Sequence, residues 1–364
     1  MLTALLVVLI LVALIVAHEF GHFLAAKFSR VKVEEFGIGY PPRAFTIATI
    51  GGTEYTLNWI PFGGFVRLYG DQGEDQRGRG SLVEASRLKQ AAILIAGVAM
   101  NAAMGWFLFA LSFHAGVPQP IDTPLPGEAA HLIVANIVAG SPADGASLKA
   151  GDELLGIRDT VDGSAAGALT PEAVVDFVRE RGGRQLALSY KRADVEYSTN
   201  IIPANAVIPG AAAQPALGIA LTLFSVRSIP WGQSFSDAGL QTISAFETVG
   251  ADLWSLARTV IRGSPDLSGV VGPIGIVGYV NDAARSGFGS IFLLAGFISI
   301  NLAVINLLPI PALDGGRLLV LFLEVVLRRD APRLAIQLLN ALGVSLIILL
   351  MVAVSYHDIG RLLT

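Results

Sequence analysis

Cysteine is absent from the 364 residues, which excludes disulfides, thiolate metal sites and a cysteine nucleophile. Any transition metal must then be held by His, Asp or Glu. Charge is scarce too: only 15% of residues are charged and the net charge is −4, so nothing points to nucleic acid as a partner. What is abundant is apolar surface. Hydrophobic residues make up 53% and mean hydropathy is +0.62, the balance of a membrane protein rather than of a soluble enzyme.

Met1 to Ala17 carry no charge, and the apolar run resumes after His22 through Phe23-Leu24-Ala25-Ala26. As one helix this is about 25 residues and roughly 37 Å, enough to cross a bilayer. It lacks the basic n-region and small-residue cleavage site of a signal peptide. Three further spans are expected at 91–116, 291–308 and 334–356. The run "LLVLFLEVVL" from Leu318 is too short to cross and reads as a buried half-helix. Lys and Arg gather at 27, 30, 32, 43, 67, 77, 79, 87 and 89, and again at Arg317, Arg328, Arg329 and Arg333. The positive-inside rule places these short loops in the cytoplasm, and both termini and the long 117–290 segment outside.

Within the first basic loop, "RAFTIATIGGTEYTLNWIPFGG" predicts two alternating strands joined at Gly51-Gly52. Phe45, Ile47, Tyr55, Leu57, Trp59, Ile60 and Phe62 make this hairpin apolar enough to lie at the membrane face. In the long outer segment, about Glu128 to Pro203, strands alternate with a turn-rich loop, "GSPADGASLKAGDELL". A helix, "TPEAVVDFVRE", follows, with Thr170 as a plausible N-cap. This order is similar to that of a bacterial PDZ domain, a fold that takes an extended peptide as an added strand. Such a unit could grip a peptide or act only as a steric filter. Trp231 to Arg262 spaces its apolar residues as an amphipathic helix.

The chemistry lies in "HEFGH". Residues four apart share a helix face, so His18 and His22 can chelate one ion. Glu19 stands beside them to take a proton from an attacking water. HExxH is the zincin arrangement of two ligands and a general base. Inside a membrane span, ionisable groups are costly and point to function. A catalytic zinc usually has three protein ligands and one open position. Asp314, in "NLLPIPALDGGR", is the expected third: Pro309 and Pro311 break the preceding helix, and Gly315-Gly316 permit a tight turn. The competing carboxylate, Glu324, is followed by Arg328 and Arg329 and is expected to form an i,i+4 ion pair. Asp358 is expected near the opposite membrane face. Asn301 and Asn306 both lie in the third span, where interhelical hydrogen bonding is the ordinary role of such residues; the functional alternative is that Asn306, nearest Asp314, donates to the oxyanion of a tetrahedral intermediate. His114, His131 and His357 have no partners at ligand spacing and read as interface or surface residues.

These motifs, with "GGFVRL" at Gly63 and "GPIGI" at Gly272, resemble in content and order the site-2 protease family of intramembrane zinc metalloproteases, in its bacterial regulator-of-sigma-E-protease-like branch. The resemblance implies zinc on His18, His22 and Asp314, and Glu19 as the base. It also implies single-span membrane proteins as substrates, such as anti-sigma factors or remnant signal peptides. Two departures stand out. Val98 occupies a position where the family often has proline, so the resemblance assigns no role to Asn101, and only one PDZ domain is evident.

The expected architecture is a polytopic α-helical membrane protein of about four spans, with a membrane-associated β-hairpin and an inserted extracytoplasmic α/β PDZ domain. The expected divisions are an N-terminal membrane core at 1–116, the PDZ domain at 117–205, a strand and amphipathic helix at 206–287, and a C-terminal membrane core at 288–364. The expected activity is zinc-dependent hydrolysis of peptide bonds in or near transmembrane segments of the bacterial inner membrane. The lipid bilayer and substrate proteins are the partners, with a possible peptide at the PDZ domain. A transmembrane helix hides its carbonyls in internal hydrogen bonds, so the 44–66 hairpin is expected to pair with an unwound substrate. The competing reading is an inactive homologue that senses peptides through its PDZ domain. A soluble secreted zincin is excluded by the three later spans.

Overall fold

The computed structural model describes residues 2–71, 78–125, 127–192, 195–205, 207, 214–263 and 271–363. Arg77 lies outside them, as do the side chains of Phe62, Arg333 and His357. Two compact units emerge, one of 1–116 with 229–364 and the other of 117–228.

In the first unit, the uncharged opening folds as α1 (Leu2–Phe28). A basic loop leads to β1 (Val33–Ile50) and β2 (Thr53–Leu68), an antiparallel pair turned at Gly51-Gly52, both at positive φ. Both strands are longer than the sequence pattern predicts and fold over on themselves. Glu35 pairs with Glu54 in one register and with Arg67 in another, so the 33–38 segment is flanked on both sides by parts of β2. Glu35 is buried there and satisfied by Thr56, Arg43 and Arg67, the condition under which a carboxylate tolerates burial.

The second long helix, α2 (Arg87–Ala115), packs against α1 through glycine. A Cβ on Gly21 would fall on the Ala96 carbonyl, so the two backbones meet as small residues allow in membrane helices. Ala26, Val31, Val33, Leu68, Leu82 and Ile93 then close a small core between helices and strands.

The second unit begins with β3 (Val117–Ile121) and β4 (Ala130–Ile137), followed by the one-turn α3 (Pro142–Gly145) and β5 (Glu153–Asp159). Next come α4 (Pro171–Arg179), β6 (Leu186–Arg192), β7 (Val195–Ile201) and β8 (Ile219–Arg227). Thr170 caps α4 as expected, its hydroxyl accepting from the Ala173 amide at 3.2 Å. The six strands form one antiparallel sheet in the order β3-β8-β4-β5-β6-β7, consistent with a PDZ-like domain. Leu132, Leu154, Ile157, Val174, Leu186 and Leu188 lie at its core. This compact unit runs to Ser228, past the expected boundary at 205, because β8 inserts between β3 and β4 and belongs to this sheet.

The chain returns to the first unit with α5 (Trp231–Ile261), the expected amphipathic helix. Ala238 and Ala245 pack it on Phe109, Ala110 and Ile300. Then follow α6 (Pro273–Arg285), α7 (Phe288–Leu307), α8 (Asp314–Leu327) and α9 (Arg333–Leu363). Among the described residues four helices are long and apolar enough to cross a membrane, at Thr3–Phe28, Arg87–Ala115, Phe288–Leu307 and Leu334–Gly360.

One ion-pair and one hydrogen-bond expectation change. Glu324 pairs with Arg87 of α2 at 2.8 Å rather than with Arg328, because Arg328 caps α8 in the left-handed conformation and leaves the helix face. Asn301 donates to the Phe297 carbonyl of its own helix at 2.9 Å, not across helices. Asp358 is buried and accepts from the Gly272 and Gly275 amides, capping α6 rather than meeting the histidines. His114 stacks on Trp231 and His131 meets Glu153 at 2.5 Å.

Candidate metal centre and active site

The helical spacing of α1 delivers His18 and His22 to one face, with Nε2 atoms 3.1 Å apart. Gly97 of α2 lets them sit there: a Cβ would lie 2.5 Å from His22 Nε2 and 2.7 Å from His18 Cε1. Both imidazoles are buried.

Asp314 arrives from the far end of the sequence. Its carboxylate oxygen Oδ2 lies 3.0 Å from His18 Nε2 and 3.2 Å from His22 Nε2. The chain breaks after Leu307 as the prolines require, but Asp314 is the first residue of α8 rather than part of an irregular turn. A carboxylate is favoured there by the helix dipole. Gly315 and Gly316 also serve differently from the expectation. Neither takes a positive φ; instead, a Cβ on either would strike the carbonyls of Leu307, Leu308 or Ile310. They let the first turn of α8 seat against the loop that precedes it.

The three atoms fit a metal. Mutual separations of 3.0, 3.1 and 3.2 Å make a nearly equilateral triangle. Tetrahedral zinc with bonds of about 2.0–2.1 Å has ligand–ligand edges of roughly 3.3 Å. Asp314 Oδ2 is buried without a hydrogen-bond partner, a costly state for a carboxylate oxygen that a cation would relieve. His22 Nδ1 lies 2.7 Å from the Ile93 carbonyl. A carbonyl only accepts, so this nitrogen holds the proton and Nε2 presents a lone pair to Asp314 and His18. Among the described residues this trio is the one His/Asp/Glu group close enough to hold an ion.

Around it lies a cavity of about 450 Å³ lined by Glu19, Asn306, Tyr40 and Arg317 as well as the trio. Glu19 and Asn306 thus line the same space as the histidines. Part of β2 forms another wall through Gly64, Phe65, Val66 and Leu68. Gly64 lies against Val16 and Glu19, and the Val66 backbone amide faces the Glu19 carboxylate. Among the described residues the 64–68 segment pairs with β1 on one edge only. Tyr40, stacked on Phe65, and Arg317, paired with Asp71, are cavity residues that sequence reasoning missed. Neither sits in a spacing pattern, and only the folded-back strands and α8 bring them here.

The model of peptidase family M50 matches residues 6–350. A relative from Clostridium perfringens, named provisionally as a zinc metalloprotease (CPE1693), is 30% identical, with 95% of each chain covered. The membrane metalloprotease ARASP of Arabidopsis thaliana chloroplasts is 29% identical, over 94% of this chain and 75% of its own. Among solved structures, the PDZ domain of an SdrC-like protein from Listeria innocua matches at 22% identity and a TM-score of 0.21, over 25% of this chain and 92% of that one. With a family match running nearly end to end, and four helices suited to a membrane, the chain belongs to peptidase family M50, the site-2 protease family.

Proposed function

We propose that the protein is an intramembrane zinc endopeptidase that cuts single-span membrane proteins in or near their transmembrane segments. The observation that carries this reading is the His18–His22–Asp314 triangle, closed at about 3 Å, beside a carboxylate in the same cavity. His18, His22 and Asp314 hold the metal. When bound, zinc supplies Lewis acidity to the scissile carbonyl and to a water. Glu19 takes the proton from the attacking water and returns it to the leaving amine. Asn306, on the cavity wall, donates to the oxyanion.

The substrate must present an extended backbone, because helical carbonyls are already occupied by internal hydrogen bonds. The segment 64–68 of β2, which overlaps the end of the expected 44–66 hairpin, receives it as an added strand. Its one-sided pairing with β1 and its position against Glu19 support this. The basic residues of the short loops support a metal site near the cytoplasmic face of the bacterial inner membrane, with both termini and the 117–228 unit outside.

The test uses full-length protein in proteoliposomes with a single-span substrate. Chelation is expected to stop cleavage and zinc to restore it. Gly or Pro near the cut is expected to speed cleavage at least several-fold over an all-Leu helix. Cleavage that survives chelation would remove the metal mechanism, and indifference to helix-weakening residues would remove the unwinding step.

A further inference from the structure

His22 is oriented by a backbone carbonyl, whereas His18 faces a side-chain amide. Its Nδ1 lies 3.2 Å from the side-chain amide of Asn101, a residue of α2 with no solvent exposure. With the amide nitrogen turned toward the ring, Asn101 donates to Nδ1. The proton of a neutral imidazole then sits on Nε2. That proton would point into the triangle and block His18 as a ligand. The same arrangement leaves Asn101 Oδ1 buried with no hydrogen-bond partner.

A half-turn of the amide exchanges its oxygen and nitrogen in nearly the same space. The oxygen then accepts from His18 Nδ1–H, and Nε2 presents its lone pair alongside those of His22 and Asp314. Both histidines are then held alike, Nδ1–H on an oxygen acceptor and Nε2 toward the centre. The backbone supports this placement, since the Asn101 carbonyl accepts from Ser299 Oγ of α7 at 2.8 Å. That bond fixes α2 against α7 at the level of the site.

Given the metal site proposed above, on which this depends, we infer that Asn101 is a positioning residue: its side-chain oxygen fixes the tautomer and ring orientation of His18 so that Nε2 can ligate. Acceptors behind metal-bound histidines typically change metal affinity by about 10- to 100-fold when removed.

The experiment measures zinc affinity of full-length detergent-purified protein by chelator competition, for wild type, Asn101→Leu and Asn101→Asp. Leu keeps the volume and deletes the acceptor, so affinity is expected to fall at least about 10-fold. Asp keeps an acceptor and removes the amide donor, so it is expected to match or exceed wild type. A merely structural role would not give rescue by Asp. Leu binding zinc as tightly as wild type, or Asp weakening as much as Leu, would overturn the inference. Nitrogen NMR of 15N-histidine-labelled, zinc-loaded wild type, assigned by a His18→Gln control, tests it without relying on variants. His18 is expected to carry its proton on Nδ1, and a proton on Nε2 would overturn the assignment. If wild type itself binds no zinc, the parent reading fails; if it binds and the Leu variant is unchanged, only the role of Asn101 fails.

Discussion

At the scale of single residues, the site is governed by who sits behind whom. Two imidazoles inside the apolar α1 are tolerated because they meet one another and the Asp314 carboxylate of α8 at about 3 Å, and because Gly97 of α2 offers no side chain where they meet. Gly97→Ala should therefore be disproportionately harmful for a one-methyl change: its Cβ would sit 2.5 Å from His22 Nε2. Zinc content is expected to fall well below one per chain, measured by metal analysis after gel filtration. Full occupancy in that variant would mean that α2 does not approach the histidines this closely.

At the scale of elements, segment 64–68 and the 117–228 sheet make separate predictions. Val66→Pro removes the amide that faces Glu19 and disrupts the edge. Cleavage is expected to drop at least about 10-fold with zinc retained, if strand addition presents the substrate. Unchanged cleavage would move substrate presentation elsewhere. In the sheet, Arg227 grips Glu128 with two hydrogen bonds, at 2.6 and 2.8 Å, helped by the Leu125 amide. These hold the Glu128 carboxyl down to about 2 from its ordinary 4.5. Asp162 is likewise held to about 2, first by the Ser164 hydroxyl and amide and then by Arg184. A carboxyl with a lowered folded pKa stabilises the fold fully above its unfolded value and loses that contribution as pH falls through the folded one. Hydrogen exchange across β8 is thus expected to accelerate between pH 4.5 and about 2, after correction for intrinsic rates. Glu128→Gln should flatten that dependence. An unchanged profile would show that the pair does not tie β8 to the sheet.

The elements also show what a sequence can and cannot disclose. His18 and His22 were legible because a helix fixes the i,i+4 relation locally. Asp314 was legible because ionisable groups are rare in apolar context and prolines marked the break. The hairpin announced itself by alternation and two glycines. The fold-back that carries 64–68 to Glu19, the insertion of β8 between β3 and β4, and the Arg87–Glu324 pair depend on contacts distant in sequence and leave no local period. The roles of Gly315 and Gly316 were misread because glycine serves both turns and close packing, and only the neighbouring carbonyls distinguish the two.

At the scale of the whole molecule, the proposal commits to a sidedness. The absence of cysteine makes it directly measurable with single-cysteine variants at Glu84, in the first basic loop, and at Val161, 76% exposed in the 117–228 unit. A membrane-impermeant maleimide applied to intact spheroplasts is expected to label Val161→Cys at once and Glu84→Cys only after lysis. The reverse pattern would invert the topology. This membrane-suited chain is proposed to hydrolyse peptide bonds with a metal held by His18, His22 and Asp314 and a proton taken by Glu19. The most direct measurement pairs zinc per chain with cleavage of a helix-weakened transmembrane substrate, in wild type and Glu19→Gln. About one zinc is expected in both, with cleavage at least about 100-fold lower in the variant. Zinc in both with undiminished cleavage by Glu19→Gln, or no zinc in either, would contradict the proposal.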